Sequence, residues 1–524
     1  MVKKLPIGLQ GFEGLRNDGY VYVDKTAYIY RLVHEGKPYF LSRPRRFGKS
    51  LLLSTLKAYW EGKRELFAGL AIEALESENN EAWKSYPVFL FDFNGVNYQQ
   101  PNALEEALDI QLKRWEKTYG CEAYGQTLAS RFQNLLLTAK EKTNLRSVVL
   151  VDEYDKPLLD VVEKPELQEH NKEVFKGFFS TLKSFDEYIQ FVFITGVTKF
   201  HKVSIFSDLN QLTDISLMNK YAGLCGITDE ELRLYFEEEI ADLAKAQKLN
   251  TEECYKQLKR TYDGYRFHPD GVSVYNPYSL LNAFFAGEFG SYWFETGTPT
   301  FLVKQLREMD FDIRKFTDQT LYASESNLKD YTGNELNPVP LLYQSGYLTI
   351  VDFDRNGRIF TLGFPNEEVK YGFIESLIPA YVEDAGAGSG KDIFTLRRYI
   401  EQGQLDEIRN VLKALFASIT YTIKDDPFEH YFQTVIYLVF TLLGKFVQCE
   451  MHTYNGRIDC KVETKNFIYL FEFKRDDTAE AALAQIDSKD YALPFIADSR
   501  TLYKIGVSFD SDSRKLVGWK VSEF

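Results

Sequence analysis

The chain has 524 residues, which is too long for one hydrophobic core and predicts about two to four domains. Hydrophobic residues make up 44% and charged residues 26%, which excludes disordered and fibrous classes of protein. The formal net charge of -14 argues against a protein that coats nucleic acid with a globally basic surface, although a local basic groove stays open.

A soluble cytoplasmic protein without a membrane partner is expected. The longest apolar stretch, residues 435–447, is interrupted by Lys445 and is too short to cross a bilayer. The first residues have no apolar segment behind their lysines, which argues against a secretion signal. The five cysteines form no C-x-x-C pair and indicate reduced core thiols, and the 41 Phe and 34 Tyr indicate dense cores.

Short apolar runs alternate with helical patterns from residue 37 to about residue 215, as in β-α-β units around a parallel sheet. The predicted strands are residues 38–42, 86–93, 147–152 and 189–195, and the predicted helices are residues 50–60, 103–119, 125–140 and 167–185. Residues 148–151 and 191–194 are continuously apolar, which predicts strands that are covered on both faces.

The segment after the first predicted strand is typical of a phosphate-binding loop that opens a helix. Its backbone N–H groups can cradle phosphates, while Lys49 reaches the β- and γ-phosphates and the Ser50 hydroxyl binds Mg²⁺. Arg43 stands where this pattern has its first glycine, so a basic turn before a helix is the alternative. The predicted nucleotide-binding residues are Arg45, Arg46, Phe47, Gly48, Lys49, Ser50 and Leu51.

Two carboxylates, Asp152 and Glu153, follow the third predicted strand. The carboxyl ends of buried parallel strands lie beside the phosphate loop, where an Asp can hold Mg²⁺ and a following Glu can polarise the attacking water. Together with Lys49, they predict an ATP site in which Glu153 is catalytic. Thr195 or Thr198 could sense the γ-phosphate, and a plain turn residue is the alternative for either.

Residues 221–420 read as helical and irregular, with turn residues at several points and no catalytic pattern. The Gly-rich residues 383–390 predict a linker or loop. The predicted domains are therefore residues 1–220, 221–385 and 386–524.

The last hundred residues predict a domain with the order α-β-β-β-α-β. The predicted helices are residues 427–443 and 478–487, and the predicted strands are residues 445–450, 457–463, 466–474, 503–509 and 516–521.

Three polar residues of this segment predict a second site. Asp459 lies near the start of one predicted strand, Glu472 and Lys474 end the next, and a hairpin turn at residues 464–466 would bring them together. Carboxylate oxygens suit Mg²⁺ or Mn²⁺, which can activate water for attack on a phosphodiester, and Lys474 would stabilise the reacting phosphate. Glu429 and Gln485 on the flanking helices could complete the site. A surface salt bridge between Glu472 and Lys474 is the alternative.

Taken together, these segments resemble the AAA-ATPase-like family whose members carry a C-terminal PD-(D/E)XK nuclease superfamily domain. The resemblance implies an α/β P-loop NTPase core with a parallel sheet and a helical lid, followed by a restriction-endonuclease-like domain. It also implies that Lys49, Ser50 and Asp152 are phosphate and Mg²⁺ ligands. The motifs that carry it are Asp24-Lys25-Thr26, residues 45–50 and 151–155, Ile194-Thr195-Gly196-Val197, Tyr262-Asp263-Gly264-Tyr265, Asn276-Pro277, residues 293–297, Gly456-Arg457-Ile458-Asp459 and Glu472-Phe473-Lys474.

The leading hypothesis is an ATP hydrolase that regulates a metal-dependent nuclease acting on DNA or RNA. Residues 421–524 hold thirteen Lys and Arg against sixteen Asp and Glu, so this segment has no basic excess. One alternative is a nucleotide-dependent switch whose C-terminal domain binds nucleic acid or protein without cutting. Another is a defence or mobile-element ATPase that acts on a partner protein. The sequence leaves the oligomeric state open, a homo-oligomer included.

Overall fold

Two compact units make up the chain. The computed structural model describes residues 4–36, 38–121, 127–199, 212–295, 306, 321–329, 337–381, 389–417, 437–439, 447–453, 456–510, 513 and 515–524. The first unit comprises Met1–Thr296 and Gln319–Val369, and the second comprises Gly297–Asp318 and Lys370–Phe524.

A five-stranded parallel sheet of order β2-β3-β4-β1-β5 forms the centre of the first unit. Its strands are β1 (Pro38–Ser42), β2 (Val88–Asp92), β3 (Ser147–Asp152), β4 (Ile189–Gly196) and β5 (Thr213–Asp214). The helices of this region are α1 (Phe12–Asn17), α2 (Thr26–Glu35), α3 (Lys49–Trp60), α4 (Ala71–Leu75), α5 (Ala103–Tyr119), α6 (Leu128–Thr143), α7 (Lys156–Leu159), α8 (Pro165–Phe179) and α9 (Thr181–Ser184). The parallel sheet and its four predicted strands are confirmed, and the predicted helix at residues 167–185 is divided into α8 and α9.

Aromatic side chains fill the space between this sheet and its helices. Phe89 and Phe91 of β2 contact Trp115 of α5 with ring centroids 5.2 and 4.9 Å apart, and Phe132 of α6 stacks on Phe178 of α8 at 5.1 Å. All six residues of β3 are buried, which confirms the prediction of a strand covered on both faces. The many phenylalanines of the sequence therefore serve packing here.

The rest of the first unit combines short helices with two small antiparallel sheets, β6-β7 and β8-β10-β9. The helices are α10 (Asp229–Tyr235), α11 (Glu237–Ala246), α12 (Thr251–Tyr262), α13 (Pro277–Ala286), α14 (Tyr292–Glu295), α15 (Glu325–Lys329) and α16 (Val339–Ser345). The strands are β6 (Tyr265–Arg266), β7 (Ser273–Val274), β8 (Leu321–Ser324), β9 (Thr349–Asp354) and β10 (Ile359–Gly363).

These strands correct the prediction that the middle of the chain is helical and irregular. The turn between β9 and β10 contains Asn356-Gly357, a typical hairpin signal between apolar runs. The signal was present in the sequence, and β9 also alternates apolar and polar residues over Val351-Asp352-Phe353-Asp354, a pattern that the prediction overlooked.

The second unit contains a five-stranded mixed sheet of order β11-β12-β13-β14-β15, in which only the β13–β14 pair is parallel among the described strands. Its strands are β11 (Val447–Thr453), β12 (Gly456–Glu463), β13 (Phe467–Arg475), β14 (Thr501–Asp510) and β15 (Lys515–Glu523). The helices are α17 (Glu367–Tyr381), which begins at the end of the first unit, α18 (Ser389–Gln402), α19 (Leu405–Ala417) and α20 (Ala479–Ser488).

The predicted helix at residues 478–487 and the predicted strands of the second unit are confirmed over the described residues, and β15 is the strand predicted at residues 516–521. Residues 437–439 are helical, and the remainder of the helix predicted at residues 427–443 lies outside the described residues. Ser389 and Gly390 belong to α18, which corrects the end of the linker predicted at residues 383–390.

Cys121, Cys225, Cys254 and Cys460 are free thiols. Cys225, Cys254 and Cys460 are buried, as predicted, whereas Cys121 is partly exposed. In the described part of the chain, no helix combines the length and apolar character that a membrane span requires.

The residues Asp24, Lys25 and Thr26 join three segments of the first unit. One carboxylate oxygen of Asp24 accepts the N–H and hydroxyl of Thr26 at 2.8 and 2.6 Å, and the other accepts the N–H of Ala71 at 2.8 Å. Lys25 donates to Glu231 of α10 at 2.6 Å, and their side chains are only 11% and 19% exposed. This motif therefore ties the starts of α2 and α4 to α10.

We expect Lys25→Met to destabilise the first unit by about 2–4 kcal/mol, because it leaves the partly buried Glu231 carboxylate without its cation. Urea unfolding of the full chain measures this loss. The control Arg233→Met breaks an exposed pair with Asp229 on the same helix and should cost under about 0.5 kcal/mol. The double variant Lys25→Met/Glu231→Gln should lose less than the sum of its single variants, and strict additivity would contradict the interpretation.

Candidate functional site

The loop between β1 and α3 closes around the side chain of Lys49. Gly48 precedes α3 with φ 91°, a left-handed conformation that favours glycine. Lys49 is 4% exposed, and its Nζ donates to the carbonyl oxygens of Arg43 and Pro44 at 3.0 Å each. Ser50 and Leu51 are half-buried in the first turn of the helix. The predicted loop and helix start are therefore present, with the ammonium group of Lys49 against the loop backbone.

Arg43, which replaces the first glycine of the loop pattern, turns into the protein core. It is 1% exposed, and its guanidinium donates to the carbonyl oxygens of Ser42 and Ser216 at 2.8 Å and of Tyr221 at 3.2 Å. Burial lowers the pKa of Arg43. The substitution thus supplies two contacts between the loop and later segments, at Ser216 and Tyr221, whereas Arg45 and Arg46 are exposed.

Residues from the middle of the chain hold the same loop. The Phe47 ring is buried against Tyr265 with ring centroids 4.7 Å apart, and the Phe47 carbonyl accepts the N–H of Gly226 at 3.2 Å. The indole N–H of Trp293 donates to the Arg45 carbonyl at 3.0 Å. These contacts were missed from the sequence, because nothing in a single sequence links Trp293 to a loop so distant along the chain.

The acidic end of β3 lies at the same edge of the sheet as this loop. The parallel register pairs Leu41 with Thr195 and Val151 with Ile194, so β4 separates the two strands that precede the loop and the acids. Asp152 is 4% exposed and accepts a hydrogen bond from the Thr195 hydroxyl at 2.7 Å. The prediction that the Lys49 loop and the acids after β3 lie at one edge of the sheet is therefore confirmed.

Burial raises the pKa of Glu153, the charge of Lys49 lowers it, and the neighbouring Asp152 and Asp155 raise it. Glu153 also has φ 49°, a left-handed conformation that is uncommon for a residue with a side chain.

Asp155 is a buried carboxylate that the sequence reasoning did not single out. It is 1% exposed and accepts the N–H groups of Val197 and Thr198 at 3.0 and 2.6 Å and the Thr198 hydroxyl at 2.8 Å. A Cβ at Gly196 would lie 2.7 Å from Asp155 Oδ1, so the segment after β4 passes close to this carboxylate. The signal for this role was the third acid of the run Val151–Asp155, which was visible but not distinctive.

A second polar cluster lies on the hairpin of β12 and β13 in the second unit. The antiparallel register pairs Cys460 with Phe471, which places Asp459 and Glu472 at the next position. Asp459 Oδ2 accepts the N–H of Phe473 at 2.8 Å. The predicted hairpin is therefore confirmed, and it places Asp459 close to Glu472.

Glu472 is buried in an electrostatically unfavourable position. It is 2% exposed, and burial together with the nearby charge of Asp459 raises the pKa of Glu472 to about 8. Its Oε2 has no hydrogen-bond partner among the described residues, whereas its Oε1 accepts from the Gln485 amide and lies 3.8 Å from Lys474 Nζ. Lys474 donates to the amide oxygen of Gln485. The alternative of a surface salt bridge does not describe so buried a glutamate.

Gln485 reaches this cluster because α20 packs very closely on β14. A Cβ at Gly506, which pairs with Glu472, would lie 2.1 Å from the carbonyl oxygen of Ala479. Glu429, the remaining predicted member of the cluster, lies outside the described residues. Within the described ranges, no group of three or more His, Cys, Asp or Glu side chains is arranged to hold a metal ion, so a cation here would depend on Asp459 and Glu472.

Comparisons with known proteins match the two units separately and the chain as a whole. A family model described as predicted AAA-ATPase matches residues 6–206, and a model of the PD-(D/E)XK nuclease superfamily matches residues 427–519. An uncharacterized protein in the vnfD 5' region of Azotobacter chroococcum mcd 1 is 36% identical over 533 residues, which cover 99% of each chain. The chain therefore belongs to the family of predicted AAA-ATPases that carry a C-terminal PD-(D/E)XK nuclease superfamily domain.

Proposed function

We propose that the chain hydrolyses ATP in its first unit and cleaves phosphodiester bonds of DNA or RNA in its second, and that bound nucleotide regulates cleavage. The observation that carries the proposal is the state of Glu472, which is 2% exposed, has an oxygen without a partner among the described residues, and lies beside Asp459. Two neighbouring carboxylates in such a place repel each other and cost stability unless a proton or a cation compensates them.

In the proposed ATP site, Arg45, Arg46, Phe47, Gly48, Lys49, Ser50 and Leu51 bind the phosphates. Lys49 contacts the β- and γ-phosphates, while Ser50 and Asp152 hold Mg²⁺ and Thr195 keeps the Asp152 carboxylate in place. Glu153 orients the attacking water and accepts its proton, and a pKa raised by burial makes it a better proton acceptor near neutral pH. Hydrogen bonding of Lys49 to the loop carbonyls supports this assignment, since the ammonium already lies at the loop.

In the proposed nuclease site, Asp459 and Glu472 hold Mg²⁺ or Mn²⁺. The donor set fits such a cation, because hard carboxylate oxygens suit it and the partnerless oxygen of Glu472 lacks a hydrogen-bond donor. A bound divalent ion would supply activation of water and stabilisation of charge on the phosphate. Lys474, held by Gln485, presents its ammonium group to the reacting phosphate. Glu429 on the preceding segment is proposed as a further catalytic carboxylate.

Regulation by ATP requires that the nucleotide bind two states of the chain with different affinities. We propose a functional division into an ATPase segment at residues 1–220, a lid at residues 221–385 and a nuclease segment at residues 386–524. Trp293 and Gly226 donate hydrogen bonds to the phosphate loop, which supports a lid role for the middle of the chain. A change in the conformation of the loop would alter these two hydrogen bonds.

We expect Lys49→Met to weaken ATP binding by about 10- to 100-fold, because it removes charge-assisted hydrogen bonds to the phosphates. Isothermal titration calorimetry with ATP and Mg²⁺ measures the change. The control Lys57→Met removes a lysine of the same helix that pairs with Glu61 on the surface, and it should leave the affinity unchanged. Equal affinities in wild type and Lys49→Met would refute the proposed ATP site.

We expect cleavage of DNA or RNA in the presence of Mg²⁺ or Mn²⁺, and a loss of about 100-fold or more in Lys474→Ala, because the reacting phosphate loses its cationic partner. A gel-based assay on the full chain measures the rate. The control Lys504→Ala removes a lysine that pairs with Asp487 elsewhere in the same unit, and it should retain activity.

Cleavage that is unaffected by Lys474→Ala would end the nuclease proposal. Nucleic-acid binding without cleavage across several metals would favour a switch instead. The regulatory part is tested separately, at an ATP concentration that saturates the wild type but lies well below the dissociation constant of Lys49→Met. ATP should then change the cleavage rate of the wild type and leave that of Lys49→Met unchanged.

We expect the metal-free second unit to lose stability as the pH rises from about 4.5 to about 8. An unfolded glutamate releases its proton near 4.5, whereas the folded pKa of Glu472 is about 8, so over this window the folded state alone retains the proton. Glu472→Gln should therefore have a higher melting temperature than the wild type at alkaline pH, and the gain should disappear in acid. Thermal unfolding with EDTA measures it.

The exposed Glu480 of α20 serves as the control, because Glu480→Gln changes a carboxylate whose pKa is lowered and should give no gain at alkaline pH. Mg²⁺ should raise the melting temperature of the wild type and leave that of Glu472→Gln nearly unchanged. A pH-independent difference between Glu472→Gln and the wild type would show that Glu472 is not the titrating group.

A further inference from the structure

The phosphate loop contains a residue in an unfavourable backbone conformation. Arg46 has φ 67°, in the left-handed region that a residue with a side chain rarely adopts. A left-handed residue in a turn directs successive backbone N–H groups to one side, where they can bind phosphate oxygens. The conformation therefore suits phosphate binding, but it persists only where the surrounding structure holds it.

Two hydrogen bonds from the middle of the chain hold the backbone on either side of Arg46. The indole N–H of Trp293 donates to the Arg45 carbonyl at 3.0 Å, and the backbone N–H of Gly226 donates to the Phe47 carbonyl at 3.2 Å. Because a peptide group is planar, the direction of its carbonyl also fixes the direction of the N–H that follows. Each donor thus sets the orientation of one loop N–H as well as of its acceptor.

We propose that Trp293 is a positioning residue that keeps the loop in its phosphate-binding conformation, and that Glu368 keeps Trp293 in place. The proposal rests on the ATP site proposed above. Neither residue belongs to the loop or to the acids after β3, so both act through the Arg45 carbonyl rather than on the phosphates.

Aromatic packing fixes the side chain of Trp293. The residue is 6% exposed, and its ring centroid lies 5.4 Å from that of Tyr347 and 6.4 Å from that of Tyr265. Tyr265 in turn contacts the ring of Phe47, with centroids 4.7 Å apart. The indole therefore cannot turn away from the loop without disturbing rings that pack against the loop as well.

Glu368 binds the backbone of the same tryptophan. Its Oε1 accepts the N–H of Trp293 at 2.7 Å, and the residue is 3% exposed. This N–H lies in the first turn of α14, where no carbonyl of the helix can accept it. A hydrogen bond to a carboxylate is stronger than one to a neutral acceptor. Glu368 therefore fixes the point from which the indole reaches the loop.

Trp293→Phe tests the indole N–H, because it keeps an aromatic ring and removes the donor. We expect the affinity for ATP to fall by about 3- to 10-fold, as for the loss of one neutral hydrogen bond. The KM for ATP should rise more than kcat falls, since saturating ATP selects the binding conformation of the loop. Isothermal titration calorimetry and steady-state kinetics on the full chain measure both.

Trp60→Phe is the matched control. Trp60 is also a 6% exposed tryptophan of the first unit, but its indole N–H has no hydrogen-bond partner among the described residues. This variant should lose thermal stability through its altered packing and keep the affinity for ATP. Equal ATP affinities in Trp293→Phe and Trp60→Phe would overturn the proposal, whereas a wild type that binds no ATP would overturn the ATP site itself.

Two substitutions of Glu368 separate positioning from a general loss of stability. Gln can still accept the N–H of Trp293, so Glu368→Gln should keep the affinity for ATP within about twofold of the wild type. Leu offers no acceptor, and Glu368→Leu should bind ATP as weakly as Trp293→Phe. An equal loss of affinity in both variants would contradict the role of Glu368.

Hydrogen exchange at Gly226 tests the loop without nucleotide, and so separates the positioning role from ATP binding. The Gly226 amide is protected by the Phe47 carbonyl, and movement of the loop would expose it. We expect the peptide that contains Gly226 to exchange about 3- to 10-fold faster in Trp293→Phe, and at the wild-type rate in Trp60→Phe. Equal exchange in the two variants would show that Trp293 does not hold the loop.

Discussion

Parallel pairing of β1, β4 and β3 is the constraint on which the first unit depends. Because the three strands run in the same direction, whatever follows each of them emerges at one edge of the sheet. Backbone pairing of Leu41 with Thr195 and of Val151 with Ile194 therefore brings the Lys49 loop to the acids after β3. The polar contacts depend on this register, because it brings Thr195 beside Asp152 and the segment after β4 beside Asp155.

The second unit uses a different geometry to concentrate charge. An antiparallel hairpin places Asp459 near Glu472, and the close approach of α20 over Gly506 brings Gln485 to Glu472 and Lys474. The arrangement is unfavourable for stability, because Glu472 is buried with its pKa raised to about 8. Buried groups with raised pKa values are typical of functional sites, where stability is given up for chemistry.

The middle of the chain contacts the phosphate loop through residues that no local sequence pattern predicts. The indole N–H of Trp293 and the backbone N–H of Gly226 each donate to a backbone carbonyl of the phosphate loop, and Phe47 packs against Tyr265. Because the acceptors on the loop are backbone carbonyls, these hydrogen bonds require no particular side chain there, and no sequence motif marks them. Arg43 likewise depends on residues distant along the chain. Its departure from the glycine pattern is explained by its hydrogen bonds to the carbonyls of Ser216 and Tyr221.

The sequence by itself determined four of the five strands of the parallel sheet, the longer helices between them, the hairpin of Asp459 and Glu472, and the predicted residues of both candidate sites. These features depend on apolar periodicity and on turns, which are properties of neighbouring residues. Only the tertiary structure decided that Arg43 turns inward, that Asp155 ties β3 to the segment after β4, and that Glu472 is buried with an oxygen lacking a partner among the described residues. Burial and electrostatic coupling depend on residues distant along the chain, and that proximity exists only after the strands have paired.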